Sequence, residues 1–298
     1  MNSEVRKVFF IVNRFSGTGF KPEMETLISA MCRQNGVESA VRFTEGPGHA
    51  TVLAQDARDK DFHKVVAVGG DGTVNEVAQA LLHAPVAMGI IPKGSGNGLA
   101  RHLGIPAKFE LALNCLFTNE VVKMDTFRIN GKLSLNVSGV GFDGHIADLF
   151  GTDKTRGFQG YTKHILNQYL DFAEFDAAIS IGQTKLDKKA FVIAIANSSQ
   201  YGNNARIAPT ASICDGILNI SILKKFPPYR LDFIYAFFSG NIDQSAYCET
   251  LQVRNATIQL DAPMSFHIDG EPSGKSDRFE IELVPASLPI LAPCGRKF

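Results

Sequence analysis

Two glycine-rich loops, each directly behind a short apolar run, constrain this chain most. GGDGT (69–73) follows VVAV (65–68), and PKGSGNGLA (92–100) follows AMGII (87–91). Each loop leads into an amphipathic stretch, with Val74, Val77, Ala78, Leu81 and Leu82 on one face after the first. Glycine at such a place lets backbone N–H groups approach a phosphate without a Cβ in the way, at the start of a helix. Strand–helix–strand alternation argues for a parallel sheet with flanking helices. In such a sheet both loops leave the same strand ends and converge on one crevice. The local alternative is a tight turn with a capping Asp71.

The alternation extends over about the first 130 residues. VFFIV (8–12) is another β-branched run, and PEMETLISAMCRQNG carries Met24, Leu27, Ile28 and Met31 at helical spacing before a stop at Asn35-Gly36. NRFSGTG (13–19) adds a third loop after the first strand, with Asn13 and Ser16 as polar groups. TEGPGHA (44–50) adds a fourth, with Thr44; its His49 reads as structural. None of these four loops contains GK[ST], so none is a Walker A site.

After about residue 128 the texture changes. An Asn130-Gly131 turn, alternating Leu133, Leu135 and Val137, and short strands such as LNISIL and FEIELVP predict an antiparallel sandwich or barrel. Helical segments are expected at roughly 159–175 and 229–239. The domains expected are 1–127 (α/β) and 128–298 (β-sandwich), with the last ten or so residues free to return to the first. A literal GxGxxG at Gly139, Gly141 and Gly144 follows a strand, but it sits in the all-β half without a βαβ continuation. Its glycines are read as shaping a turn that aims Asp143 or Asp148. HIDGEPS (267–273) places Asp269 and Glu271 around a flexible Gly270. A carboxylate on a rigid turn suits a general base for a hydroxyl, and DG is equally a favoured hairpin dipeptide.

Composition narrows the classes. The 298 residues carry 30 Lys+Arg and 30 Asp+Glu, so no basic excess marks a nucleic-acid binder. Val8–Val12 and FVIAIA (191–196) are too short for a signal h-region or a membrane span. The five cysteines form no CxxC and read as reduced thiols of a cytoplasmic protein.

Taken in order, NRFSG, TEGPGHA, GGDGTVNEV, PKGSGNGLA, MDTFRING, GVGFDG, CDGILNI and HIDGEP resemble the diacylglycerol kinase catalytic family, which is related to sphingosine and ceramide kinases. GGDGT alone is shared with NAD kinases. The sequel NEV, the GSGN loop and the DGE turn favour the lipid kinases. The resemblance implies a three-layer nucleotide domain, a β-sandwich domain and an active site between them. It implies ATP held by Asn13, Ser16, Thr44, Gly69, Gly70, Asp71, Gly72, Thr73, Gly94, Ser95, Gly96 and Asn97. Asp71 would also place a catalytic Mg²⁺, and Glu271 would take the proton of a lipid hydroxyl. Asp125 and Asp215 match family acids of a metal–water network, with carbonyls of Ser212 and Ile217 as further ligands by spacing. Two departures stand out. Gly98 replaces the acid of GTGND, as in sphingosine kinases, and Cys214 replaces the first acid of DDG.

The expected activity is phosphoryl transfer from ATP to a lipid hydroxyl, with diacylglycerol the first choice of acceptor. The alternatives are a sphingoid-base kinase, an NAD kinase-like metabolite kinase and an idle nucleotide- or lipid-binding regulator. Replacing Asp71 or Glu271 by Ala is expected to abolish turnover with the fold intact. The lipid would be met at a membrane surface by a peripheral protein, and a homodimer is left open. KKFPPYRLDFIYAFFSG (224–240) sets Lys224, Lys225 and Arg230 beside Phe226, Tyr229, Phe233, Phe237 and Phe238. It reads first as a core helix on the β domain, and second as a basic-aromatic helix that docks on an anionic bilayer.

Overall fold

The computed structural model describes residues 6–17, 19–152 and 168–293. The chain forms two compact units, Met1–Asp125 with Pro285–Phe298, and Thr126–Val284.

The first unit is built from β1 (Lys7–Val12), α1 (Pro22–Gln34), β2 (Glu38–Phe43), α2 (His49–Asp59), β3 (Lys64–Gly69), α3 (Asp71–Leu81), β4 (Ala87–Pro92), α4 (Gly98–His102) and α5 (Phe109–Thr118). Its strands run parallel in the order β2-β1-β3-β4. β1, β3 and β4 bury nearly every residue, so both faces of the sheet are covered. α2 packs with α3 and α1 with α5. Because all four strands point the same way, the loops after Val12, Phe43, Gly69 and Pro92 leave one edge of the sheet. Asn13 N–H bonds Val68 O, Thr44 N–H bonds Val12 O, and Lys93 N–H bonds Gly69 O, which ties the loop bases together.

The second unit is antiparallel. Its elements are the end of β5 (Glu120–Ile129), β6 (Lys132–Ser134), β7 (Val137–Gly141), α6 (Phe142–Thr152), β8 (Phe175–Ile181), β9 (Thr184–Ala190), β10 (Val192–Ala196), β11 (Leu218–Leu223), α7 (Leu231–Ser239), β12 (Cys248–Val253), β13 (Asn255–Ile268) and the start of β14 (Glu271–Ala292). Pairing runs β12-β11-β10-β7-β13-β14, with β8 and β9 added through β13. The register of β13 slips between Gln259 and Met264, so its first half pairs β8 and its last residues pair β7. That bend turns the strands over a core of Phe127, Val140, Ile193, Ile220, Ile258 and Phe279. The fold class is that expected: a parallel α/β domain followed by a β-sandwich domain.

Three local features refine this picture. The stretch 159–175 lies outside the described residues up to 167; residues 168–171 are helical, and Phe175 opens β8. β14 rejoins the first unit at Pro285, pairing Ile290 with Met88 of β4. The Gly139-Gly141-Gly144 run does lead from a strand into a helix, α6, yet β7 lies between antiparallel neighbours and forms no βαβ unit.

Candidate active site

Three of the four loops of the first unit, 13–19, 69–73 and 92–100, are packed backbone on backbone. A Cβ on Gly94 would meet Gly70 Cα at 2.6 Å, and one on Gly17, whose φ is +57°, would meet Lys93 O at 2.0 Å. Glycine is required there by contact between loops. Asn97 adopts the left-handed conformation, φ 50°, and its amide closes the loop on itself: Gly94 N–H donates to its Oδ1 at 2.9 Å and its Nδ2 donates to Gly94 O at 2.7 Å.

Asp71 joins the two glycine loops. Its Oδ2 accepts the Asn97 N–H and its Oδ1 the Gly98 N–H, both at 2.9 Å. An anion here caps the short α4. This role is invisible in the motif, where Asp71 read as a metal- or hydroxyl-directed acid. Gly98 supplies one of the two N–H groups. Asn13 Nδ2 donates to Thr73 Oγ1 at 3.2 Å, and Asn13 Oδ1 accepts Phe15 N–H. Ser16 and Gly19 close a turn within 13–19. Ser95 is exposed at the tip of its loop.

α3 itself begins at Asp71 after Gly70, an N-cap residue with no side chain to bond the helix start. By contrast Glu76, further along α3, places Oε1 on Gly48 N–H at 2.8 Å and Oε2 on Ala50 N–H at 3.1 Å. Sequence reading passed over Glu76 as part of NEV. It also passed over Lys93, the cation of the second loop, whose ammonium is pushed below its ordinary range by burial and then by the charge of Lys21.

Of the acids expected around metal, Asp125 is buried and its Oδ1 accepts Ala286 N–H at 2.6 Å, where Ala286 sits at φ 48° in β14. Asp215 is exposed and accepts Ile217 N–H at 3.0 Å, while Ser212 Oγ accepts Cys214 N–H at 3.3 Å. Among the described residues no three His, Cys, Asp or Glu side chains gather into a metal cluster.

The late turn of the second unit is a two-residue hairpin. Asp269 and Gly270 have φ 50° and 90°, and Ile268 pairs with Glu271, the geometry of a type I′ turn. The hairpin reading of DG is the one this geometry describes. Asp269 is buried and accepts Ser134 Oγ–H at 2.7 Å, Asn136 N–H at 2.9 Å and Leu135 N–H at 3.0 Å, which pins the turn to the β6–β7 connection. His267, also buried, accepts Gly270 N–H at Nδ1 (3.1 Å). The ring proton is therefore on Nε2, which donates to Asp143 Oδ2 at 3.1 Å. Tyr201 O–H donates to the same oxygen at 2.8 Å, and Gly144 N–H to Oδ1 at 2.7 Å. The glycine run does aim these acids: a Cβ on Gly139 would strike Asp143 Oδ2 at 2.1 Å, and Asp148 Oδ2 accepts Ser265 Oγ–H at 3.1 Å. Glu271, the first residue of β14, is exposed and its carboxylate makes no hydrogen bond or ion pair among the described residues.

Comparison with known proteins agrees with this layout. Residues 7–129 match the diacylglycerol kinase catalytic domain, and residues 136–292 match the YegS C-terminal NAD kinase beta sandwich-like domain. A protein named probable lipid kinase YegS-like from Klebsiella pneumoniae (strain 342) is 30% identical over 282 residues, covering 92% of each chain. One of the same name from Pectobacterium atrosepticum is 30% identical over 271 residues, covering 88% of each. A crystal structure of a diacylglycerol kinase from Bacillus anthracis str. Sterne shares the fold, with a TM-score of 0.75 at 20% identity over 98% of both chains. The chain belongs to the YegS-type lipid kinase family, with its diacylglycerol kinase catalytic domain and YegS-type β-sandwich, and is a kinase.

Proposed function

We propose that this kinase transfers the γ-phosphoryl group of ATP to a lipid hydroxyl, with diacylglycerol as the acceptor. The observation that carries the nucleotide half is the α3 N-terminus. Its N-cap residue is Gly70, which brings no side chain between the helix start and a ligand, and it opens from GGDGT among three further glycine loops at one sheet edge. The N-termini of α2 and α4 are already occupied by carboxylates of α3. Phosphate oxygens suit the N–H groups of a helix start reached through glycine. Asn13, Ser16, Thr44, Thr73, Ser95 and Asn97, on the four loops, would hold the rest of the nucleotide.

Mg²⁺ would neutralise charge on the transferring group when bound. Asp71 and Asp125 would serve it in the first unit; their bonds to backbone N–H groups use part of each carboxylate's acceptor capacity. The 212–217 turn offers one carboxylate, Asp215, with carbonyls of Ser212 and Ile217. Such hard oxygen donors suit Mg²⁺ with several waters retained.

Glu271 is our general base. Its carboxylate is exposed and uncommitted, while the turn beneath it is held by Asp269 and His267. It would take the hydroxyl proton as the lipid oxygen bonds to the γ-phosphorus and the bond to ADP breaks. Radiolabelled ATP with diacylglycerol, sphingosine, a mixed lipid extract and NAD, read by thin-layer chromatography, tests the assignment. Label in phosphatidic acid is expected. Label confined to a sphingoid base or to NAD would replace the acceptor, and none at all would favour an idle binder.

A further inference from the structure

α7 carries two apolar faces, and only one of them is used. Phe233 is 4% exposed and stacks on Phe226 with ring centroids 3.9 Å apart. The opposite stripe is Leu231, Ile234, Tyr235 and Phe238, at 71%, 40%, 74% and 51% exposure. The spacing i, i+3, i+4, i+7 is that of a helix face meant for contact. Tyr229, on the approach to the helix, is 79% exposed and extends the stripe.

The occupant can be argued from area, charge and residue type. Full side-chain areas for residues of this size are roughly 150–250 Å², so the five exposed fractions leave on the order of 600 Å². A stable subunit contact takes about 800 Å² from each partner. The stripe is therefore small for a permanent dimer and large for an idle surface. Basic groups bracket it. Lys224 is exposed before it, and Arg206 lies against Gly240 just after it. The one acid on the helix, Asp232, is tied to Arg230 at 2.6 Å. Two tyrosines with apolar bodies and polar tips suit the headgroup boundary. No described helix is long and apolar enough to cross a membrane, and a lipid kinase must still reach its lipid.

We propose that the Leu231, Ile234, Tyr235 and Phe238 face of α7, with Tyr229, docks on an anionic bilayer surface and lies in the plane of its headgroups. This goes beyond the phosphoryl-transfer reading. It rests on the chain being a lipid kinase and is independent of which lipid accepts the phosphate.

The test is co-sedimentation of the full chain, without ATP, with mixed phosphatidylcholine–phosphatidylglycerol vesicles. Wild type is expected in the pellet. The double variant Leu231→Ser with Tyr235→Ser should partition at least tenfold less, with an unchanged melting curve, since both side chains are largely exposed. Val121→Ser, at another exposed apolar position, should bind as wild type does. Turnover of the double variant should fall on vesicle-borne lipid and stay at the wild-type level on a soluble short-chain lipid. Equal pelleting of the double variant overturns the proposal, as does wild type that stays in the supernatant. So does a wild-type dimer in sedimentation velocity that the double variant dissolves, which would give the face to a second copy. Loss of turnover on every lipid by wild type would count against the kinase chemistry and leave vesicle binding standing.

Discussion

Asp71 and Glu76 stand five residues apart on α3, and each carboxylate seats the first N–H groups of a different helix. Asp71 holds Asn97 and Gly98 at the start of α4; Glu76 holds Gly48 and Ala50 at the start of α2. One helix thus fixes two of the glycine loops beside its own N-terminus. Asp71→Ala is then not a clean probe of chemistry, contrary to what the motif suggests. Loss of a charge-assisted cap costs about 1–2 kcal/mol, so both Asp71→Ala and Glu76→Ala should lower the urea midpoint. Turnover separates them. The Asp71 variant should lose activity at temperatures where it is fully folded, and the folded Glu76 variant should keep most of it.

The His267–Asp143 bond gives a sharper probe of the late turn. Asp143 accepts from His267, Tyr201 and Gly144. Asn in its place must turn its NH₂ toward either the imidazole N–H or the Gly144 N–H, so one donor faces another whichever way the amide flips. Moving the ring proton to Nδ1 would relieve the clash and break the bond to Gly270 N–H. Asp143→Asn is expected to lower kcat about tenfold, the equivalent of about 1.4 kcal/mol, with KM for ATP little changed. Wild-type kcat would show that this network does not reach Glu271.

Alkaline stability follows from the buried thiols. Burial, partly offset by the Thr250 hydroxyl, pushes Cys248 from the ordinary 9.0 up to about 11. Burial also raises Cys32, Cys115 and Tyr169. Between the ordinary value and the raised one, the folded state binds more protons than the unfolded state, so stability falls as pH rises. The contribution is full below about pH 9 and lost by about pH 11. Denaturation midpoints should drop across that window, and Cys248→Ala should flatten part of the drop. A midpoint of wild type constant over the window would contradict it.

Sequence reading reached the frame and the loops but few of the bonds. β1, β3 and β4 are continuous apolar runs because both their faces are buried. β2, Glu38–Phe43, has no fully buried residue at its sheet edge and carried no such run. The glycines were legible because backbone contact demands them. The reach of Asp71 to residues 26 and 27 positions away was not, since a carboxylate accepting N–H groups leaves no local pattern. The same holds for Glu76 and for His267. At α7 the periodicity announced apolar stripes without saying what covers them. Phe233 is buried as a core helix requires, while Leu231 and Tyr235 face out.

The most direct test of the account is turnover by Glu271→Gln. The substitution keeps the shape of an exposed side chain that bonds nothing in the described structure, so the melting curve should match wild type. With radiolabelled ATP and diacylglycerol, the account predicts a fall in kcat of at least a hundredfold, the low end of general-base effects, with ATP binding retained. Wild-type kcat in that variant would contradict the central claim that Glu271 takes the proton of the lipid hydroxyl.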